Sequence, residues 1–158
     1  MKNPQPIKRH KALVSFSKDH HFGLQLSWKI RQGLAHAISC ERISLYVLYF
    51  FKEDLARHFK EEEDLLFPLL PSAHLLRQRA EAEHALVYKL IHSLEQNKID
   101  KTLLNLFADT LEAHIRFEER ELFNQLQQLP TEVLETLPEA AAHNSRAIDD
   151  NWEDCFWK

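Results

Sequence analysis

The sequence predicts an all-α protein: an antiparallel up-down-up-down four-helix bundle with a short C-terminal helical extension. Its 158 residues include only two glycines and six prolines, whereas the helix-forming residues Leu, Ala, Glu, Lys, Arg and Gln are abundant. Four long segments place apolar residues at steps of three and four, the period of an amphipathic helix. Short breaks separate these segments, and short connections favour antiparallel neighbours.

The first two helices have recognisable ends in the sequence. The first is predicted to begin at Ser15 or Ser17, either of which can cap a helix, and to run to about residue 38. The second is predicted from about residue 41 to residue 66 or 67. It stops before Pro68 and Pro71, because proline cannot continue a helix.

The third and fourth helices are bounded in the same way. Ser72 can cap the third, which is predicted to end near residue 96. Asp100 can cap the fourth, which is predicted to end near residue 128, before Pro130. Beyond it, Thr131 and the step around Pro138 suggest one or two short helical pieces. The last seven residues contain three aromatic side chains that we expect to pack on the bundle in preference to a second subunit: Trp152, Phe156 and Trp157.

Length and composition predict one domain, with a core over about residues 12–129 and an extension over about residues 130–158. The formal charge of −4 gives no support for a nucleic-acid partner, and the basic run at residues 8–11 is interpreted as a solvated N-terminal arm. Cys40 and Cys155 are isolated, which is typical of reduced thiols in a cytosolic protein. With neither a signal sequence nor a membrane span apparent, we expect a soluble, cytoplasmic protein.

One motif occurs twice. HFKEEEDLLFPLL begins at His58 and HIRFEERELFNQL begins at His114, and the two share the His, the Glu four residues on, the next Glu, and a later Leu, Phe and Leu. An acid–His pair precedes each copy, Asp19-His20 before the first and Glu83-His84 before the second. Residues i and i+4 share one face of a helix, so each copy presents a nitrogen and a carboxylate in the same direction.

The repeat defines six candidate metal ligands, which all fall on the apolar stripes of their helices: His20, His58, Glu62, His84, His114 and Glu118. An unpaired buried carboxylate costs several kcal/mol, and two buried glutamates would also repel each other. A dinuclear site with bridging carboxylates removes this cost. Imidazole and carboxylate ligands suit iron, and also zinc, nickel or manganese.

Other interpretations of the same residues fit less well. The ferritin-like carboxylate pattern needs Glu-x-x-His twice, and only Glu81-x-x-His84 has that spacing, with Glu81 off the stripe. His21 competes with His20, although it points about 100° away on a helix. The remaining acidic residues of the motif are interpreted as solvated faces: Glu61, Glu63, Glu119 and Glu121.

The arrangement DH…HxxxEE…EH…HxxxEE, over most of the chain, resembles the hemerythrin-like (HHE cation-binding) family. This resemblance implies a non-heme di-iron centre with two iron ions, in which four histidines are terminal ligands and two glutamates bridge, usually with an oxo or hydroxo group. The terminal ligands would be His20, His58, His84 and His114, and the bridges Glu62 and Glu118. Other divalent metals stay open.

The sequence also departs from the family's oxygen carriers, which have a fifth histidine four residues from the third-helix histidine. Here Ala80 and Tyr88 occupy the two positions where it could lie. The carriers also end the fourth-helix motif with HxxxxD, whereas His114 is followed four residues later by Glu118. The set of four His and two Glu is closer to the family's iron-centre repair proteins and its eukaryotic iron-sensing domain. Tyr88 is expected to pack, with a role as a hydrogen-bond donor or ligand as the alternative.

Three functions follow. The first is a module that binds or senses oxygen, nitric oxide, peroxide or iron itself, as a homodimer or with a separate signalling partner. The second is an enzyme-like protein that reduces peroxide or nitric oxide, or repairs damaged iron centres. The third is a structural bundle whose site is lost or holds another metal.

Overall fold

The computed structural model describes residues 8–96, 99–138 and 146–158, and every regular element within these ranges is a helix. The predicted all-α class is therefore confirmed, while the up-down order of the helices stays a prediction. Four long helices, α1 to α4, contribute the core, and two short ones, α5 and α6, follow them. None of the helices in the described ranges is long and apolar enough to cross a membrane.

Helix α1 comprises Val14–Ala35 and begins earlier than predicted. A 3₁₀ turn, Lys11–Leu13, precedes it, and the ring nitrogen Nδ1 of His10 accepts the N–H of Ala12 at 3.0 Å. Capping by Ser15 or Ser17 was wrong, because the imidazole of His10 already satisfies a free amide one turn upstream. The Ser17 hydroxyl instead donates to Glu119 at 3.1 Å.

Helix α2 extends without a break from Cys40 to Leu66, as the sequence predicts. Ser39 caps it by accepting the N–H of Arg42 at 3.3 Å. Its α-helical stretches, Cys40–Phe50 and Ala56–Glu61, are each followed by a π-helical turn, Phe51–Leu55 and Glu62–Leu66. A 3₁₀ turn that contains Pro68 then ends the helix, Phe67–Leu69.

Helix α3 comprises Leu75–Glu95 and is capped by His74, whose Nδ1 accepts the N–H of Leu76 at 3.1 Å. The predicted cap, Ser72, lies two residues too early.

Helix α4 runs through three consecutive segments, Lys101–Phe117, the π-helical turn Glu118–Leu122, and Phe123–Leu126. Its predicted cap is confirmed, since Asp100 Oδ1 accepts the N–H of Leu103 at 2.7 Å.

The core consists of two hydrophobic clusters with a polar layer between them. Along α1, Leu13 and Phe16 belong to one cluster and Leu26 and Ile30 to the other. The same change of cluster occurs along α2, α3 and α4. In each helix a buried histidine lies at the point of change or within two residues of it. The polar layer therefore crosses the bundle between two apolar regions.

Helices α5 (Thr131–Glu135) and α6 (Arg146–Asp150) precede the aromatic C-terminus, which packs on the bundle as expected. Phe156 is 5% exposed and joins the larger hydrophobic cluster. A Cβ at Gly33 would lie 2.8 Å from the ring of Phe156, so the absence of a side chain there admits the phenyl group. The ring of Trp152 stacks on Tyr49 with centroids 4.7 Å apart.

A buried lysine fixes the C-terminal segment to α1. Lys29 Nζ lies 2.7 Å from Asp149 Oδ2 and donates to the Tyr46 hydroxyl at 3.0 Å. It also lies 4.1 Å from the ring centroid of Trp157. The charge of Lys29 is thus compensated by a carboxylate and by an aromatic face.

Candidate metal centre

The polar layer of the bundle contains all six residues predicted from the repeat. Each of the four long helices supplies one histidine, and α2 and α4 also supply one glutamate each. All six side chains are almost fully buried: His20, His58, Glu62, His84, His114 and Glu118. His21, the competitor of His20, is exposed and bonds to Gln25 on the same helix. The structure thus brings His20, and not His21, into the cluster.

The two glutamates lie at the centre, and the histidines turn their Nε2 atoms toward them. Glu62 Oε1 lies 3.2 Å from His58 Nε2 and 3.1 Å from His84 Nε2. Glu118 Oε1 lies 3.0 Å from His20 Nε2 and 3.2 Å from His114 Nε2. Each glutamate therefore contacts histidines from both halves of the sequence.

Two overlapping groups in the cluster have the spacing of a metal-binding site. One comprises His20, His58, Glu62 and Glu118, and the other comprises Glu62, His84, His114 and Glu118. Within each group the candidate ligand atoms all lie within 4.8 Å of one another. Because both groups include the same two glutamates, the arrangement can hold two cations that share two carboxylates.

The other ring nitrogen of every histidine meets a second carboxylate. His58 Nδ1 lies 3.1 Å from Asp19 Oδ2, and His114 Nδ1 lies 2.7 Å from Glu83 Oε1. Such contacts fix the orientation and tautomer of a metal-binding imidazole and increase its basicity. In each half, the acid that precedes one histidine therefore orients the histidine of the next helix.

The two acids that directly follow the central glutamates orient the other two histidines in the same way. His84 Nδ1 lies 2.6 Å from Glu63 Oε2, and His20 Nδ1 lies 3.2 Å from Glu119 Oε1. The interpretation of Glu63 and Glu119 as purely solvated was wrong, because the helical turn after each central glutamate brings the next carboxylate against a histidine of a neighbouring helix, although Glu63 stays partly exposed. The signal for both was already in the repeat, as the second Glu of each HxxxEE.

Three of these four outer carboxylates are held in turn by arginines. Arg57 lies 3.3 Å from Asp19, and Arg79 lies 2.9 Å from Glu83. Arg9 lies 2.9 Å from Glu119 Oε2 and donates to its backbone carbonyl at 2.8 Å. The N-terminal run was interpreted as a solvated arm, and for Arg9 this was wrong. The sequence pattern carries no signal for this contact, since Arg9 is far from Glu119 in the chain.

The fourth outer carboxylate, Glu63, accepts a hydrogen bond from the Tyr88 hydroxyl at 3.0 Å. We expected Tyr88 to pack, and it does contact Phe59 edge-on with centroids 5.7 Å apart. Its hydroxyl nevertheless acts on His84 through Glu63. The alternative of a hydrogen-bond donor near the site is therefore the better description.

The π-helical turns lie at the same place in both copies of the motif. In each, the backbone carbonyl of the central glutamate accepts from the residue five positions on, Phe67 for Glu62 and Phe123 for Glu118. The ring of Phe67 lies 5.0 Å from that of His84, and Phe123 stacks on His20 at 5.1 Å. π-Helical turns occur frequently at functional sites. Here they place the repeated phenylalanine over a histidine.

The electrostatics of the cluster favour bound positive charge. Burial lowers the pKa of His58, but Glu62 and Asp19 raise it more, to about 9. Burial likewise lowers the pKa of His114, and Glu118 and Glu83 raise it to about 10. Burial raises the pKa of Glu62, but the surrounding histidines lower it by more, so that this pKa lies well below its ordinary value. The raised pKa values of His58 and His114 beside the lowered pKa of Glu62 are those of groups that hold positive charge next to a buried carboxylate.

The donor set fits a metal centre by its unpaired atoms as well. Buried side-chain atoms without a hydrogen bond include two from each copy of the motif, the histidine Nε2 and one glutamate oxygen: His58 Nε2, Glu62 Oε2, His114 Nε2 and Glu118 Oε2. Two of these nitrogens lie 3.2 Å from a carboxylate oxygen, yet the geometry forms no hydrogen bond. A buried polar atom without a partner is costly, and cations bound by the two groups would satisfy all four atoms.

Comparison with known protein families gives a match. The family described as the hemerythrin HHE cation binding domain matches residues 24–126. No curated protein and no solved structure matches the chain. The match covers well over half of the sequence and includes every candidate ligand except His20, which joins the cluster by geometry. The chain therefore belongs to the hemerythrin HHE cation-binding domain family, and its buried His/Glu cluster suits a metal centre.

Proposed function

We propose that this protein holds a non-heme di-iron centre in its polar layer. His20 and His58 would bind one iron, His84 and His114 the other, and Glu62 and Glu118 would be shared. The observation that carries this proposal is the overlap of the two groups, in which both carboxylates belong to both. A single cation would need only one of these groups.

We further propose that the centre binds or senses a small molecule: oxygen, nitric oxide or peroxide. Each group offers one ligand atom from each of four residues, which leaves iron with positions to fill. When bound, two irons of this kind supply redox equivalents and coordination positions for a diatomic molecule or peroxide. The chain itself orients the imidazoles, excludes bulk water and places a carboxylate on each Nδ1.

Metal analysis tests the site. Protein produced in iron-supplemented medium should contain about two iron ions per chain. His58→Ala should lose about one of them, because it removes a terminal imidazole from one group, and Glu118→Ala should lose most of both, because both groups share this carboxylate. His21→Ala is the matched control, since His21 is adjacent to the predicted ligand His20 in the sequence but is exposed. Unchanged metal content in His58→Ala and Glu118→Ala would refute the assignment.

The alternative is an enzyme-like protein that turns over peroxide or nitric oxide or repairs iron centres. It is supported by the cleft beside His84, which would let a small molecule approach. The two functions differ in stoichiometry. A sensor or carrier binds its ligand once per centre, whereas an enzyme removes many equivalents of peroxide or nitric oxide when a reductant is supplied. An electrode for peroxide or nitric oxide would record this difference.

A further inference from the structure

Each of the four histidines contacts one outer carboxylate through Nδ1, and each such histidine–carboxylate pair is called a corner of the site. The four corners differ in which side chain holds the outer carboxylate. Three of these carboxylates are each paired with an arginine, whereas Glu63 accepts from the neutral Tyr88 hydroxyl. An arginine adds the attraction between opposite charges to its hydrogen bond with a carboxylate, whereas the neutral Tyr88 hydroxyl supplies a hydrogen bond alone. The His84 corner is therefore the one with the weakest support.

The same corner is also the most open to solvent. The side chain of Glu63 is 36% exposed, compared with 25% for Glu119, 23% for Glu83 and 7% for Asp19. A cleft of about 280 Å³ lies against it. The cleft is lined by Glu63, Glu81, His84, Ala85 and Tyr88.

The lining of this cleft suits a hydrated divalent cation. Two of its five residues are carboxylates, a third is an imidazole and a fourth is a phenol, so oxygen and nitrogen atoms can replace departing water. Glu81 lies 3.5 Å from Arg77 on its own helix, which leaves Glu63 as the carboxylate that faces both the cleft and the site. Glu63 thus lines the solvent-facing cleft and also contacts His84, a predicted ligand.

From these observations we infer that metal ions enter and leave the centre at the His84 corner, through this cleft, and that the Tyr88–Glu63 hydrogen bond keeps this route closed. This hydrogen bond is called the latch below. This inference rests on the proposed metal centre. With the latch closed, Glu63 holds His84 against the ring of Phe59, which stacks on it at 3.9 Å. When Tyr88 releases Glu63, the carboxylate is free to meet a cation and His84 is free to turn. The metal bound by His84 and His114 then exchanges before the other.

The test uses the whole protein loaded with Co²⁺ and challenged with an excess of chelator, while the Co²⁺ absorption is followed in time. Tyr88→Phe removes the latch and keeps the ring. It should release one of the two Co²⁺ equivalents about fivefold faster, the factor that corresponds to one ordinary hydrogen bond. Without chelator and with excess Co²⁺, Tyr88→Phe should still bind two Co²⁺ equivalents, because no predicted ligand changes.

The matched comparison is Ser17→Ala, which removes a neutral hydroxyl donor from Glu119 at the corner that Arg9 also holds. Its effect on release should be clearly smaller than that of Tyr88→Phe. A third variant, Tyr88→Ala, widens the cleft and should speed both loading and release. Its counterpart Leu24→Ala truncates the side chain four residues after His20, as Tyr88 is four after His84.

The outcomes separate the inference from the proposed centre. Two bound Co²⁺ ions with equal release from Tyr88→Phe and wild type would overturn the latch and leave the centre intact. Equal acceleration in Tyr88→Ala and Leu24→Ala would mean general loosening and would overturn the route. If the wild-type protein binds no Co²⁺, the centre is wrong and the inference is overturned with it.

Discussion

The contact between Asp19 and His58 allows a quantitative test of the outer carboxylates. Asp19→Asn keeps the shape of the side chain and removes its charge. Asp19 Oδ2 lies 3.1 Å from His58 Nδ1, and the carboxylate is only 7% exposed, so water cannot replace it. Substitution of such a second carboxylate typically weakens metal binding about 10- to 100-fold, or about 1.4 to 2.7 kcal/mol.

The structure predicts that this loss falls on one metal equivalent. His58 belongs to the group that includes His20, and the other group keeps its own outer carboxylates. The fold should tolerate the change, because Arg57 retains Asp54 at 2.7 Å and Glu61 at 2.9 Å. Protein without metal is titrated with Co²⁺ against a chromophoric chelator, which resolves the two equivalents.

The control for this experiment is Asp64→Asn, which makes the same chemical change in an exposed ion pair with Lys60. Its two equivalents should titrate as in the wild type. If Asp19→Asn also titrates like the wild type, the outer carboxylates do not tune the site. If both equivalents weaken to the same extent, the division into two halves is wrong.

The remaining predictions concern pH and the C-terminal segment. Burial lowers the pKa of His58 and His114, but adjacent carboxylates raise it to about 9 and about 10. Their protonation therefore stabilises the metal-free protein fully below the unfolded pKa of about 6.5. This stability is lost as pH rises through 9 and 10, so calorimetry should show a falling Tm between pH 7 and 10, with a smaller fall in loaded protein. Phe156→Ala should lower the free energy of unfolding by about 3 kcal/mol in a denaturant titration, without changing the metal content. A loss below about 1 kcal/mol would mean that the C-terminus is not part of the core. Lys29→Ala should cost about 2 kcal/mol, since it leaves a partly exposed Asp149 and the Tyr46 hydroxyl without their cation, and an unchanged denaturation midpoint would contradict this.

The inner site could be predicted because its signal is local and repeated. A histidine and a glutamate four residues apart must share a helix face, and the apolar stripe shows which face is buried. Two such pairs, with one further histidine per remaining helix, suffice to specify the layer. The choice of His20 over His21 followed from the same stripe.

The outer contacts could be predicted only in part, because they join residues of different helices. The acids next to each ligand were visible in the motif, but which histidine they meet depends on how neighbouring helices pack. Arg9 had no pattern to mark it, since it lies before the first helix. The position of Tyr88 four residues after His84 raised a hydrogen-bond donor as the alternative to packing, but it did not show which acid the hydroxyl would meet. Two predicted helix caps were wrong because His10 and His74 cap with ring nitrogens where serine was expected, whereas Asp100 caps α4 as predicted.

The outer carboxylates connect the helices in a closed circuit: α1 orients the histidine of α2, α2 that of α3, α3 that of α4, and α4 that of α1. Every helix thus gives one carboxylate and receives one. The pair of helices α3 and α4 contains two of the four histidines, one of the two central glutamates and two of the four orienting acids, and the pair α1 and α2 contains the other half. The two pairs therefore supply equivalent sets of residues, and the differences between them lie outside these sets. The aromatic C-terminus contacts α1 and α2, and the solvent-facing cleft lies between α2 and α3.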